Sequence, residues 1–241
     1  MLYLVASVEH LIMTTISANL QAVRERIAAA ARKCGRQPEE IALLAVSKSW
    51  PALVLRDAAA AGQKAFGENY VQEGLAKIAE LAPLRLEWHF IGPLQSNKTR
   101  VIAATFAWVH SIDRLKIAER LAEQRPPGLP PLQVCLQVNV SGEVSKSGVA
   151  PHEVALLARQ VAGLPRLKLR GLMAIPEALS EFAGQRAAFF RLREIYDELR
   201  NDGLPLDTLS MGMSHDLEAA IAEGSTLVRV GTAIFGERYG L

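Results

Sequence analysis

Short apolar runs rich in β-branched residues recur along the chain and alternate with longer amphipathic stretches. The runs have the length and composition of buried β-strands. Eight such runs occur, at 41–47, 65–69, 87–92, 108–113, 133–140, 167–175, 208–214 and 227–236. The stretches between them have the spacing of helices that bury one face. They include 52–62, 71–81, 114–124, 150–162 and 184–201, and a further helix is predicted at 17–34, ahead of the first strand.

This alternation predicts an α/β fold, a (β/α)8 TIM barrel with an extra N-terminal helix, built as a single domain. The repeat is roughly 24 residues per strand–helix unit, which is what such a barrel needs. An open, doubly wound sheet is the alternative, but the turn at 47–51 lacks the glycines of a dinucleotide-binding turn. The proline-rich stretch 126–131 has the composition of a linker. Because the alternation resumes beyond it, we interpret it as a stiff loop that enters the fifth strand.

The N-terminal segment 1–13 is mildly apolar, but no basic residue precedes its apolar part and Glu9 and His10 interrupt it. It therefore does not have the pattern of a secretory signal. Ser17 is well placed to cap the first predicted helix. We predict that 1–13 is an extension without function and that the barrel domain occupies 14–241.

Composition excludes several classes of function. Half of the 241 residues are hydrophobic and mean hydropathy is +0.13, which excludes a disordered chain. The formal net charge of +2 gives no support for a nucleic-acid or membrane partner. The two cysteines, Cys34 and Cys135, form neither a disulfide framework nor a metal cluster. We therefore expect a cytoplasmic protein with no metal site.

Lys48 directly follows the first predicted strand. Chemistry in such barrels lies at the C-terminal ends of the strands. At a barrel mouth, desolvation and neighbouring cations lower the pKa of a lysine and leave a neutral amine that can form Schiff bases. The alternative is an ordinary surface lysine beyond a strand.

The segments after the seventh and eighth strands have the composition of a phosphate-binding site. Barrels of this kind frequently bind phosphate with these two loops. Gly212 and Gly231 permit close approach of the backbone, and Ser214 and Thr232 offer hydroxyl donors. The alternative is that Ser214 only caps a short helix at 216–223 and that the glycines only form turns.

Arg229 lies within the apolar run of the eighth strand. An unpaired arginine is costly to bury, so its side chain should meet a partner at the ligand end of the barrel. An arginine that faces a cofactor's pyridine nitrogen keeps that nitrogen unprotonated. The alternative is a structural ion pair with a carboxylate such as that of Asp113.

Several longer strings of sequence resemble the pyridoxal phosphate homeostasis protein family. Members of that family are single barrels similar to the N-terminal domain of alanine racemase. The matching strings occur in order between about 15 and 238 and include LAVSK at 44–48, FGENYVQE at 66–73, WHFIGPLQSNK at 88–98, HSID at 110–113, LSMGMSHD at 209–216 and RVGTAIFG at 229–236. The chain departs from the family at 49–50, where members more often have threonine followed by a basic or polar residue. That departure concerns the mouth of the site and not the lysine.

The resemblance implies that Lys48 holds pyridoxal 5′-phosphate as an internal aldimine. It also implies further contacts: Ser214, Gly231 and Thr232 with the phosphate, Arg229 with the region of the pyridine nitrogen, and Asn69 beside the cofactor.

The resemblance further implies little or no turnover and a role in storing, buffering or delivering the cofactor. An enzyme of the alanine racemase type needs a second acid/base group, which a tyrosine of an additional domain supplies in that family. This chain stops at Leu241, and of its tyrosines only Tyr70 lies near a predicted strand end. We therefore expect no catalytic residue, a monomer, and transient contact with apo-enzymes that use the cofactor. The alternatives are a racemase of the alanine racemase type and a cofactor-free Schiff-base aldolase.

Overall fold

The computed structural model describes residues 2–142 and 147–237 of the chain. Eight parallel strands form a closed barrel in which each strand pairs with the next and β1 also pairs with β8. The strands are β1 Ala42–Val46, β2 Ala65–Glu68, β3 Glu87–Phe90, β4 Trp108–Ile112, β5 Leu132–Gln137, β6 Leu167–Met173, β7 Thr208–Ser210 and β8 Leu227–Val230. The predicted TIM barrel is therefore confirmed, and the open-sheet alternative is wrong.

Helices precede the barrel and follow its strands. They are α1 Leu2–Lys33, α2 Ala52–Ala60, α3 Val71–Glu80, α4 Thr99–Thr105, α5 Leu115–Gln124, α6 Val154–Ala162, α7 Phe182–Asn201, α8 Leu217–Ala222 and α9 Thr232–Phe235. Short 3-10 helices lie at Pro38–Glu40, Ala82–Leu84 and Pro151–Glu153. The main apolar core lies between the strands and these helices, and a small second cluster of Trp108, Cys135 and Met173 lies apart from it.

The extra helix α1 packs on the outside of the barrel through a stripe of buried side chains that includes Leu20, Val23 and Ile27. The structure corrects the predicted start of this helix. Because the backbone is helical on both sides of Ser17, that residue is not an N-cap. The absence of function in 1–13 stays a prediction.

Every strand ends before its predicted run does, and β7 and β8 are shortened most. β7 ends at Ser210, and the residues up to 214 form a loop. β8 ends at Val230, and the apolar residues that follow it form the short helix α9 instead of a longer strand. Helix α4, between β3 and β4, is an element that the sequence analysis did not identify. At the C-terminal mouth, β7 is therefore followed by a loop and β8 by a short helix.

The proline-rich stretch 126–131 is a loop between α5 and β5, as predicted. The buried Arg125 side chain holds this loop through a 2.9 Å hydrogen bond to the carbonyl oxygen of Pro130. The same guanidinium donates to the carbonyl oxygens of Ala103 and Phe106 on the α4 side, at 2.7 and 2.8 Å. The loop is therefore fixed within the single domain.

Within the described ranges, no helix has both the length and the apolarity to cross a bilayer. The same part of the chain contains no group of three metal-ligating side chains with the arrangement of a metal site. Cys34 is exposed and Cys135 is buried, and both are free thiols. Burial raises the pKa of the Cys135 thiol to about 12.

Candidate functional site

A pocket of about 190 Å³ opens at the C-terminal mouth of the barrel. It is lined by Val46, Lys48, Asn69, Ile91, Ile175, Met213, Ser214, His215, Arg229, Gly231 and Thr232. All six residues that the sequence analysis proposed as a ligand site lie in this lining. They come from four segments of the chain, after β1, β2 and β7 and from β8 onward. Closure of the barrel is what brings these segments together.

The backbone on both sides of Lys48 is held by helix α3. Ser47 is buried, and its carbonyl oxygen accepts a hydrogen bond from the Lys77 ammonium at 2.7 Å. The amide of Ser49 donates to the Glu73 carboxylate at 2.5 Å. Ser49 has a φ of 67°, in the left-handed region that few non-glycine residues adopt. Lys48 therefore lies in a tight turn whose backbone is held by hydrogen bonds. Ser49, in the same turn, is one of the two positions at which the sequence departs from the family pattern.

Lys77 is a buried cation whose three donors are all used. Besides Ser47, it bonds the carboxylates of Glu68 at 2.7 Å and Glu73 at 2.5 Å. Glu68 is fully buried, and its Oε1 also accepts the Ser47 hydroxyl at 2.6 Å. Desolvation raises the pKa of the Glu68 carboxyl, opposed by the Lys77 charge. This network fixes the end of β1 to α3 behind the pocket.

Asn69 lies after β2 and presents an unsatisfied amide to the pocket. Its Oδ1 is buried without a hydrogen-bond partner among the described residues. Its backbone packs closely on Gly92, where a Cβ atom would lie 2.1 Å from the Asn69 carbonyl oxygen. A side chain at position 92 would therefore push Asn69 out of place.

Arg229 is buried, and its guanidinium bonds neutral oxygen atoms. Its Nη1 donates to the Ser210 carbonyl at 2.5 Å and to the Ser210 hydroxyl at 2.8 Å. Its Nη2 donates to the Ala174 carbonyl at 2.8 Å. The alternative of an ion pair with Asp113 is wrong, because the guanidinium bonds these neutral oxygens and Asp113 pairs with Arg114 at 2.6 Å. Burial lowers the pKa of Arg229 to about 10, so the side chain remains a cation at neutral pH.

The loops after β7 and β8 meet at Ser214, whose hydroxyl oxygen accepts the amide of Ala233 at 3.4 Å. Ser214 is not the cap of the following helix, because α8 begins at Leu217 with Asp216 in the N-cap position. The alternative role of Ser214 as the cap of the helix after β7 is therefore wrong, and its hydroxyl instead accepts an amide in the first turn of α9.

Helix α1 holds the loop after β7 and helix α9 from outside the barrel. Arg26 donates to the Ser214 carbonyl at 3.1 Å, and Asn19 donates to the Ile234 carbonyl at 2.9 Å. The extra N-terminal helix thus supports the pocket directly.

Tyr70, the one tyrosine that the sequence placed near a strand end, does not line the pocket. It is 59% exposed and lies at the start of α3. Tyr196 is buried and bonds the Leu206 carbonyl at 3.0 Å. Among the tyrosines whose side chains the structure describes, neither contributes to this pocket.

The polar residues that hold Arg229 inside the barrel were not among the predicted site residues. Ser210 also lies 2.8 Å from His110, which contacts His89 at 2.9 Å. Both histidines are buried within strands, β4 and β3 respectively. A polar residue inside an apolar strand run was the available signal, and the sequence shows it at both positions.

Comparisons with known proteins assign the chain to a family. The family model described as "Alanine racemase, N-terminal domain" matches residues 18–239. The pyridoxal phosphate homeostasis protein of Pseudomonas aeruginosa is 64% identical over 229 residues, which cover 95% of this chain and 98% of that protein. The protein of the same name from Escherichia coli is 57% identical, over 94% of this chain and 98% of its own length. This chain belongs to the pyridoxal phosphate homeostasis protein family.

Solved structures agree with this family. PipY of Synechococcus elongatus, whose structure was determined with pyridoxal phosphate bound, is 39% identical with a TM-score of 0.80. The match covers 92% of this chain and all of that one. Alanine racemase from Corynebacterium glutamicum is similar in fold alone, with 18% identity, a TM-score of 0.66 and 62% of its chain covered. The pyridoxal phosphate homeostasis family thus shares its barrel with part of a larger enzyme.

Proposed function

We propose that this protein binds pyridoxal 5′-phosphate at the C-terminal mouth of its barrel and stores, buffers or delivers it with little or no turnover. One observation carries the proposal: six residues chosen from sequence as cofactor contacts line one pocket. They are Lys48, Asn69, Ser214, Arg229, Gly231 and Thr232. The relatives' shared name and the ligand of PipY support the same ligand class.

The chemistry of the pocket fits this ligand. Pyridoxal phosphate supplies an aldehyde that reacts reversibly with an uncharged lysine amine, with release of water. Lys48 is the lysine in the lining. The buried amide oxygen of Asn69, unsatisfied among the described residues, offers a polar contact to a ligand with several polar substituents. Arg229 provides a buried cation for an aromatic nitrogen, and Ser214 and Thr232 provide hydroxyl donors for a phosphate.

The residues of the pocket bind and orient a ligand better than they move protons across it. Racemisation needs acid/base groups on both faces of the reacting carbon. Lys48 supplies one such group, Tyr70 lies outside the lining, and His215 is the other lining residue whose side chain can exchange a proton. A cationic Arg229 near the ring nitrogen would keep that nitrogen unprotonated, which weakens the ring as an electron sink. We therefore favour a carrier over a racemase.

The deciding experiment is an absorption spectrum of the protein after incubation with pyridoxal phosphate and removal of excess ligand, before and after borohydride. We expect a visible band that disappears on reduction, and a reduced adduct that maps to Lys48. A protein with no visible band, which borohydride labels only when a carbonyl substrate is added, would instead support the cofactor-free aldolase. An adduct at another lysine would overturn the assignment of Lys48.

We further propose that the protein acts in the cytoplasm as a monomer that contacts apo-enzymes only transiently. The near-neutral net charge and the two free thiols support this environment and the lack of a nucleic-acid or membrane partner. Light scattering of the purified protein measures its oligomeric state. Reactivation of an apo-enzyme by the loaded protein, with and without a dialysis membrane between them, separates direct transfer from release into solution.

A further inference from the structure

A chain of hydrogen bonds crosses the inside of the barrel, from the pocket towards the opposite mouth. It starts at Arg229, whose Nη1 lies 2.8 Å from the Ser210 hydroxyl. That hydroxyl lies 2.8 Å from His110 Nδ1, and His110 Nε2 lies 2.9 Å from His89 Nδ1. The chain ends where His89 Nε2 lies 2.7 Å from Glu87 Oε1. The first four residues are buried, whereas Glu87, the first residue of β3, has a side chain that is 52% exposed.

The carboxylate end of the chain determines where its protons lie. An ionised carboxylate only accepts hydrogen bonds, so His89 carries its proton on Nε2. A neutral imidazole has one N–H, so His89 Nδ1 is an acceptor. It accepts a hydrogen bond from the Nε2–H of His110. The Nδ1 atom of His110 is then an acceptor as well. It therefore requires a donor, and the Ser210 hydroxyl is the donor within reach.

The hydrogen bonds at the Arg229 end fix the same direction independently of Glu87. A guanidinium only donates, so the Ser210 oxygen accepts from Arg229 and its hydroxyl hydrogen is left for His110. Burial lowers the pKa of His89 and, more strongly, that of His110, so both rings are neutral at neutral pH. His89 also stacks on Trp108 at a centroid distance of 5.2 Å. Every bond therefore points one way, from cation to carboxylate.

The direction of these bonds matters for Arg229. The carbonyl and hydroxyl oxygens of Ser210 accept hydrogen bonds from Nη1, and the Ala174 carbonyl accepts one from Nη2. The hydroxyl oxygen can face Arg229 only while its hydrogen has an acceptor elsewhere, which is His110 Nδ1. A chain that ran the other way would leave a buried donor or acceptor unsatisfied.

We propose that His110 is a positioning residue of the ligand pocket, which acts through Ser210 to fix the guanidinium of Arg229, and that His89 and Glu87 hold His110 in the required tautomer. The role at the ligand rests on the proposed function, whereas the tautomer does not. The proposal concerns the contact of Arg229 with a ring nitrogen. A loss of His110 should therefore affect that contact more than the binding of the phosphate.

The first test measures the tautomers in protein without ligand. Nitrogen-15 NMR of labelled imidazoles should show His89 and His110 neutral and protonated on Nε2 at pH 7 to 8. Glu87→Ala or Ser210→Ala alone should keep this tautomer, because the other end still fixes the direction of the bonds, whereas the double variant should show a mixture of tautomers. A ring protonated on Nδ1 or a doubly protonated ring in the natural protein, or an unchanged single tautomer in the double variant, would each overturn the hydrogen-bond chain.

The second test compares two ligands, pyridoxal phosphate and its 1-deaza analogue, in which carbon replaces the ring nitrogen. The ratio of their dissociation constants isolates the contact with that nitrogen. We expect His110→Phe to reduce the preference for the nitrogen ligand about tenfold, as for one lost charge-assisted hydrogen bond. His110→Asn, which places an acceptor oxygen near the position of Nδ1, should stay within about threefold of the natural protein. His152 is an exposed histidine that takes no part in these hydrogen bonds, so His152→Ala should leave the ratio of dissociation constants unchanged.

The outcomes separate this proposal from the proposed function. Equal weakening of both ligands in His110→Phe would show a merely structural role and would overturn the positioning role alone. If that variant does not fold, the same ratio measured in Ser210→Ala decides, because it removes the hydroxyl through which His110 acts. A natural protein that binds neither ligand would overturn the proposed function together with the role at the pocket. The tautomer result would stand in that case.

Discussion

The Nζ atom of Lys77 lies 2.7 Å from the carbonyl oxygen of Ser47, the residue immediately before Lys48. A cation on a helix outside the barrel thus holds the backbone of the pocket lysine from behind. The same ammonium neutralises Glu68, which is fully buried. The pocket therefore depends on packing between β1, β2 and α3 as well as on the residues of its own lining.

Lys77→Met should destabilise the protein strongly, since it leaves the Glu68 carboxylate buried without its cation. Removal of one partner of a buried ion pair typically costs about 3–5 kcal/mol of unfolding free energy. Urea unfolding followed by circular dichroism measures the change. Arg56→Met, at an exposed ion pair with Glu80, is the matched control and should cost less than about 1 kcal/mol. The double variant Lys77→Met with Glu68→Leu should recover much of the loss, and a loss as large as in the single variant would contradict this account.

Lys48→Ala should abolish the visible absorbance of the loaded protein without unfolding the barrel. Lys48 is half-buried at the pocket and lies outside the strands, so its truncation removes the reactive amine and little of the core. Absorption and circular dichroism spectra check the two expectations separately. Lys98→Ala is the control and should keep the band. A band of natural intensity in Lys48→Ala would show that another amine holds the ligand.

Ser214→Ala should weaken the binding of pyridoxal phosphate by about ten- to a hundredfold, the effect of one lost hydrogen bond to a charged group. Unphosphorylated pyridoxal lacks that group, so its affinity should change little. Titrations followed by absorbance measure both constants. Equal losses for the two ligands would indicate that Ser214 supports the loop through Ala233 and does not contact a phosphate.

The stability of the protein should fall as the pH decreases below about 6.5. In the folded state, burial lowers the pKa of His89 and His110 below the ordinary histidine value of 6.5. The unfolded chain therefore binds protons first, and the unfolding free energy decreases by up to about 1.4 kcal/mol per pH unit for each histidine. The full stability is present above that pH. Urea unfolding at a series of pH values should show a shallower slope for His110→Asn than for the natural protein, and identical slopes would argue against a buried neutral His110.

The loaded protein should exchange the α-proton of amino acids into deuterated water slowly or not at all. Lys48 lies in the pocket lining, and no tyrosine with a described side chain does. Proton NMR of the common amino acids with the loaded protein measures the exchange. Rapid exchange of any one of them would contradict a carrier function. Its loss in His215→Gln would then identify His215, a histidine of the pocket lining, as the second base.

The sequence pattern predicted most of the fold because apolar strands and amphipathic helices alternate with a regular period. It failed where local preference and context disagree. The run after Val230 is apolar enough for a strand, but β8 is already paired with β1 up to that point and the next residues turn into α9. Helix α4 is short and has no side-chain cap, so it leaves little trace in the sequence.

The sequence predicted the residues of the candidate site that lie at strand ends. It did not predict the residues that hold them in place, because those contacts join residues far apart in the chain. Lys77 lies on an amphipathic helix, where a lysine is usually exposed, and only the packing of α3 on β2 shows that it is buried. His110 and Ser210 are 100 residues apart, and they meet only because β4 and β7 face each other across the closed barrel. No local pattern encodes such a contact.

The different surroundings of the two thiols have a practical consequence. Cys135 is enclosed and stays protonated at ordinary pH, whereas Cys34 is exposed just after α1. A maleimide dye should therefore attach at one position of the natural protein, since only the thiolate of an accessible cysteine reacts. That position lies on the connection into the start of β1, at the opposite mouth of the barrel from the pocket. Cys34 is thus a natural labelling site for single-molecule or anisotropy measurements of binding to other proteins.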